Sequence, residues 1–274
     1  MIYYKKRFGI RTADIFHDSA EKPSREVDVL SYYYVPERPK KSFFIRNDTS
    51  IFLDLTKTEE ELFSSFNKTT KYQVNKAKTK DGVSCVTVLK PGENNTDAVN
   101  DFLNFYKGFA EAKRIPCLTI KNLEQYINFG TCCIRSVQKD NEVLSMHLYE
   151  VTENIAWMHR SCSLFRTDSD PAHKSLIGRA NRFLHLENAL FFKQMGLSVY
   201  NFGCLYTGHI DKELLLLNEF KESFGGDKKE LYSYMIPVSF LGYLLILLRI
   251  IKYYFDGMRY KLSRPSSLLF RKKE

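Results

Sequence analysis

Apolar and polar positions alternate along "EVDVLSYYYV" (Glu26 to Val35), and this period of two predicts a strand that Pro36 and Pro39 end. "FFIRNDTSIFLDL" (Phe43 to Leu55) predicts a second strand pair turned at Asn47 and Asp48. The 25 residues before them read as polar and irregular. The period then lengthens to that of a helix. Thr58 and Glu61 have capping-box spacing ahead of Leu62, Phe63 and Phe66, and Glu59, Glu60 and Glu61 lie where the positive end of a helix favours negative charge. A second helix is predicted from about Thr69 to Gly82, with Val74 and Ala77 inward and Lys71, Asn75 and Lys78 on one outer face. A strand over 83–90 follows, then an amphipathic helix over 97–113 with Val99, Phe102, Leu103, Phe105 and Phe109 inward, and a short helix over 123–129. Three strands over 131–138, 143–151 and 155–162 are joined by hairpin-length connections. The longest helix runs from Ser175 to Met195 and stops at Gly196; a strand over 198–203, a helix over 211–224 and the strand "KKELYSYMIPV" complete the order.

This order predicts an α/β fold: a mixed sheet with a three-strand antiparallel meander in the middle. The expected organisation is an N-terminal lobe over 1–130, a C-terminal lobe over 131–238 and an amphipathic basic tail over 239–274. In the tail, the uncharged run from Ile236 to Leu248 is too short to cross a bilayer. Arg249, Lys252, Asp256 and Arg259 recur at helical spacing as one polar stripe, and "RKKE" adds further positive charge. The tail therefore predicts a helix lying on a membrane surface, or one docked on the domain or on a second subunit.

Composition narrows the function classes. A chain of 274 residues buries roughly 75% of its unfolded surface and needs no disulfide or metal staple. The net charge of +9 favours an anionic partner: nucleic acid, a membrane surface or a phosphorylated small molecule. The six cysteines form no CxxC pair, so no metal site is expected. The start, "MIYYKKRFGI", has no apolar signal core, and a reduced cytoplasmic protein is expected, possible partners including the inner face of the cell membrane.

The start of the longest helix is the first place to look for chemistry. Free backbone N–H groups and the positive dipole end favour an anion there, and Lys174 and Arg179 add charge beside Ser175. His147 and His159 fall in adjacent predicted strands, where a neutral-pH imidazole can act as a base; the plainer reading of each is a half-buried, hydrogen-bonded histidine. Glu187 falls in the apolar stripe Ala180, Leu184, Glu187, Phe191, where a carboxylate needs a partner or a raised pKa, unless it lies at the edge of the stripe. Asn181 and His185 share the next face. Tyr200, Asn201 and Tyr206 bracket a strand end, where α/β folds often place ligands. Lys71 and Lys78 form either a solvated face or an anion-holding one.

"SLIGRA" (Ser175 to Ala180) partly fits the Gln/Arg-x-x-Gly-x-Gly/Ala pattern, with Gly178 and Ala180 matching and Ser175 departing. With the meander, helix and strand order, this resembles the core of the GNAT acyltransferase superfamily. Three further stretches resemble its Fem-type branch, which acts on peptidoglycan and surface-sugar precursors: "DLTKTEEELFSSFNKTTKYQVNKAKTKDGV", "ANRFLHLENALFFKQMGLSVYNFGC" and "FKESFGG". The resemblance implies direct attack of an amine on an acyl-CoA thioester, acetyl-CoA being the expected donor, without a covalent intermediate. It implies cofactor contacts from Lys174, Ser175, Gly178, Arg179 and Ala180, and substrate contacts from Lys71, Lys78, Asn181, His185, Tyr200 and Tyr206. The expected acceptor is an amino-sugar or lipid-linked precursor; DNA is not an expected partner. The base is expected among His147, His159 and Glu187, with Asn201 and Cys204 standing where the family's "YDFGG" has Asp and Gly. No coiled-coil arm is visible, which favours acyl-CoA over aminoacyl-tRNA as donor. The alternatives are a Fem-type aminoacyltransferase that uses charged tRNA, and a non-catalytic membrane-associated protein that has lost its base.

Overall fold

The first 16 residues form regular structure despite their charge. The computed structural model, which describes residues 2–17, 23–40 and 42–262, folds them into a hairpin of β1 (Ile2–Arg7) and β2 (Ile10–Phe16). Arg7 pairs with Ile10 across a two-residue turn, and Phe8 and Gly9 take positive φ values of 50° and 80°. That turn matches the twist of paired strands, so the segment expected to be irregular is a hairpin. β3 (Val29–Val35) lies parallel to β2. β4 (Phe44–Asp54) is one continuous strand and not the expected pair. The Arg46 guanidinium donates to Asp48 at 2.9 Å, across the i, i+2 spacing of extended chain, and the turn preference of Asn47-Asp48 is overridden.

By contacts the chain divides into two compact units, Met1–Asp48 with Glu230–Glu274, and Thr49–Lys229. The expected lobe boundary at 130 falls inside the second.

In the second unit the capping box is formed as read. Thr58 caps α1 (Glu59–Ser64), its Oγ1 accepting from the Glu61 N–H at 3.2 Å while the Glu61 carboxylate accepts from the Thr58 N–H at 2.8 Å. Asn67 caps α2 (Lys68–Thr79), which buries Val74 and Ala77. Then come β5 (Ser84–Leu89), α3 (Thr96–Lys113), α4 (Ile120–Asn128), β6 (Cys132–Lys139), β7 (Glu142–Val151) and β8 (Ile155–Ser163). α5 (Pro171–Gln194), β9 (Val199–Cys204) and α6 (Lys212–Glu222) follow. The strand order is β4-β9-β8-β7-β6-β5. β5 to β8 are antiparallel neighbours, while β9 is parallel to β8. The meander exists, but it gains β5 and occupies one side of a mixed sheet. One face of these strands shares a core with α1, α2 and α5 through Leu62, Val74, Tyr149, Leu184 and Phe192. The other packs against α3 and α4 through Phe102, Tyr106, Leu123 and Leu148.

In the first unit β10 (Asp227–Pro237) pairs antiparallel with β3. α7 (Phe240–Leu262) packs Ile246 against Val29 and Met235. The side chains of Asp256 and Arg259, and "RKKE", lie outside the described residues.

Candidate active site

α5 sets the geometry, and it begins one turn earlier than its periodicity suggests. Asp170 is the N-cap and Pro171 the first helical residue, which loses nothing there because that N–H has no helical partner. The Asp170 carboxylate accepts from the N–H groups of Ala172 at 2.9 Å and His173 at 3.3 Å. The chain's own carboxylate thus occupies the amides expected to grip an anion, and Ser175 already lies inside the helix, its hydroxyl donating to the Pro171 carbonyl at 2.9 Å. Asp168 bonds the His173 ring and is held below the usual carboxylate range by that contact.

Anion-binding capacity lies on side chains instead. A cavity of about 380 Å³ opens between α2 and the first half of α5, lined by Tyr72, Gln73, Lys76, Phe165, Lys174, Ser175, Gly178, Arg179 and Arg182. Four cations converge on it. Arg179 is already paired with Asp81 by two bonds of 2.6 and 3.0 Å. Arg182 is less engaged: Nη1 donates to the Gly178 carbonyl at 3.2 Å, the guanidinium lies 4.8 Å from the Phe220 ring centroid, and Nε is buried without a hydrogen-bond partner. Burial pushes its pKa down. Of the five residues expected at the cofactor, Lys174, Ser175, Gly178 and Arg179 line this cavity, while Ala180 is buried in the core. Lys71 and Lys78 do not line it. α2 packs through Val74 and Ala77, which turns Tyr72, Gln73 and Lys76 to the cavity and leaves Lys78 exposed, 3.8 Å from Glu59.

Beyond Arg182 on the same helix face comes His185, the start of a buried polar network. His185 Nδ1 bonds the Tyr200 hydroxyl at 2.7 Å, Tyr200 bonds Tyr149 at 2.8 Å, and Tyr149 bonds His147 Nδ1 at 3.0 Å. Asn188 donates to both Tyr149 and His147 Nδ1, and its carbonyl accepts from Arg135 Nε at 2.7 Å. His147 Nε2 bonds Asn181 Oδ1 at 2.8 Å, and that oxygen also accepts from Ser145. His147 Nδ1 therefore accepts and Nε2 donates. Desolvation pushes His147 down to about 4 and His185 well below its ordinary value, so both are neutral at pH 7. His185 Nε2 is buried without a partner, among Phe202, Phe220 and Phe224.

The sheet separates the two strand histidines. Ser161 pairs with His147, but the next pairs are Arg160 with Leu148 and Met158 with Tyr149, so His159 is a bulge residue. One inserted residue reverses the alternation. His159 consequently bonds Glu150 at 3.0 Å and packs 4.5 Å from the ring of Tyr126, on the α3 and α4 face, away from His147. Glu187 is half-buried, its pKa raised first by desolvation, with Lys78, Arg135 and Glu59 as charged neighbours. Tyr206 donates its N–H to Asn218 at 2.9 Å. Asn201 is fully buried; its Oδ1 accepts from Ser50 Oγ and from the Gly203 N–H, both at 2.6 Å, and its Nδ2 has no partner. An amide with its oxygen engaged in this way is no base.

Sequence reading missed Arg182, Lys76 and Lys221. Arg182 follows Ser175 and Gly178 at helical spacing and was findable on that ground. Lys221, within "FKESFGG", is buried, donates to the Cys204 carbonyl at 2.7 Å and is pushed down to about 8 by desolvation. Among the described residues no cluster of metal-ligating side chains occurs.

No protein-family model and no curated protein matches the sequence. Solved structures do match the fold. The crystal structure of FemX aligns with a TM-score of 0.62 at 11% identity, covering 86% of this chain and 84% of that one. The C-terminal domain of a protein assigned as a lysylphosphatidylglycerol synthetase from Agrobacterium fabrum aligns with a TM-score of 0.52 at 12% identity, covering 90% and 83%. A conserved protein of unknown function from Bacteroides thetaiotaomicron aligns with a TM-score of 0.51 at 8% identity, covering 87% and 82%. At these identities the likeness is one of fold alone: the chain shares the mixed α/β architecture of FemX.

Proposed function

We propose that this protein is an acyltransferase that moves an acyl group from an acyl-CoA thioester to an amine on an amino-sugar or other cell-surface precursor. One observation carries the reading: the cavity over the first half of α5, where Lys76, Lys174, Arg179 and Arg182 converge beside Tyr72 and Phe165. The three cations besides the Asp81-paired Arg179 suit the pyrophosphate of a nucleotide carrier, and the two rings suit its base. In the reaction the amine nitrogen attacks the thioester carbonyl, the C–S bond breaks, an amide remains, and CoA leaves as the thiolate, which then takes up the proton that the base has removed from the amine. The amine proton passes to His185 Nε2, the ring nitrogen of the buried network that has no partner. His147, with both nitrogens engaged, holds Tyr149 and Tyr200 in place rather than taking the proton itself.

An aminoacyl group carried by tRNA is the second reading, favoured by the fold likeness to FemX. A melting-temperature screen with acetyl-CoA, longer acyl-CoAs and tRNA separates the readings. A ligand at a hundred times its dissociation constant stabilises by about 2.7 kcal/mol. Stabilisation by an acyl-CoA that Arg182→Ala cuts to about half supports the proposal, and stabilisation by RNA alone moves the donor to tRNA. No response to either class leaves a non-catalytic protein of this fold and overturns the transferase reading.

A further inference from the structure

α7 is held at its start and bare along one side. Val238 N–H donates to the Asp28 carbonyl at 2.8 Å, and Ser239 Oγ donates to the Asp28 carboxylate at 2.7 Å. Gly242 then lies so close that a Cβ there would stand 1.8 Å from the Asp28 carbonyl oxygen. Ile246 completes the seam. The opposite face carries Phe240, Leu244, Leu247, Leu248 and Ile251, which recur every three or four residues and are exposed, Phe240 at 81% and Leu248 at 54%. A contiguous apolar stripe of this size on a folded surface marks an interaction site.

Charge identifies the occupant. Arg249 and Lys252 flank the stripe, and the sequence continues with Arg259, Lys261, Arg264 and Arg271-Lys272-Lys273 against Asp256 and Glu274. Tyr253, Tyr254, Phe255 and Tyr260 add residues favoured at a lipid interface. Among the described residues no helix is long and apolar enough to cross a bilayer. A second copy on this stripe would bring the same basic flank and another chain of net charge +9 against it. We propose that α7 docks this protein on an anionic bilayer, lying in the interface plane with the Phe240–Leu244–Leu248–Ile251 stripe at the boundary of headgroups and acyl chains. The surface belongs to the first unit and the cationic cavity to the second, so each proposal can fail without the other.

Co-sedimentation of the full chain with sucrose-loaded vesicles tests this. The protein is expected to pellet with vesicles of phosphatidylcholine mixed with phosphatidylglycerol, and far less with phosphatidylcholine alone. Leu244→Glu with Leu248→Glu is expected to cut partitioning at least about tenfold. Lys252→Glu is expected to reduce the preference for anionic lipid severalfold. All three positions are exposed, so an unchanged melting temperature certifies the fold of each variant. Wild-type protein that stays in the supernatant with anionic vesicles overturns the proposal, as does equal binding by the double variant. A dimer seen by light scattering that Leu248→Glu dissolves, without vesicle binding, assigns the stripe to a second copy and also overturns it.

Discussion

The imidazoles of His147 and His185 face each other with ring centroids 4.4 Å apart, one from β7 and one from α5, and burial keeps both uncharged. Their depressed pKa values make stability depend on pH in one direction. Below about pH 6.5 the unfolded chain binds protons at these histidines while the folded chain does not. Their contribution is therefore fully present above pH 6.5 and is lost as pH falls below it, for His147 down to about 4. Each costs up to about 1.4 kcal/mol per pH unit across that window. Melting temperature measured from pH 7.5 to 4.5 should fall steeply below pH 6, and His147→Gln should flatten part of that slope; an unchanged slope would remove His147 from the account.

Loss of a cavity cation should weaken donor binding without slowing chemistry. Lys174→Ala and Arg182→Ala are each expected to raise the KM for the acyl donor roughly tenfold, with kcat nearly unchanged, because each removes a charge-assisted contact made equally in ground and transition states. Arg179→Ala should behave differently. Arg179 is bound to half-buried Asp81, so its loss should lower melting temperature as well. Initial-rate kinetics on the three variants check this.

Two glycines in helices should respond to alanine with opposite sign. At Gly242 the added methyl meets the Asp28 backbone, and a cost of about 1–3 kcal/mol or more is expected. At Gly108, in the middle of α3, an added Cβ has nothing within 4 Å and helix propensity alone acts, for a gain of about 0.5–1 kcal/mol. Chemical denaturation of both variants reads the two effects.

Glu187→Gln should stabilise the protein at neutral pH. Desolvation outweighs the attraction of Lys78 and Arg135, so the charged form is disfavoured in the folded state. The gain should be fully present where the carboxylate is charged in both states and should vanish as pH falls below the ordinary glutamate range, where it is protonated in either state. Equal melting temperatures at pH 7 would show that the two cations cancel the desolvation.

Much of this molecule was legible from local sequence alone. The Thr58–Glu61 capping box, the stop at Gly196 and the inward positions Val74, Ala77, Val99 and Phe102 depend on residues within a turn or two of each other, and each formed as read. The cationic start of α5 was also readable, through Lys174, Ser175, Gly178 and Arg179. What tertiary structure decided was direction. The bulge at His159 depends on the partner strand and moved one histidine to the opposite face. Packing of α2 on α5 chose Lys76 for the cavity over Lys71 and Lys78. The Asp170 cap closed the amides of α5 to an outside anion, and Asn47-Asp48 became part of one continuous strand. Period and capping are set by neighbours in the chain, whereas the side of a sheet or helix that meets a ligand is set by partners far away in sequence, and only the folded chain brings those together.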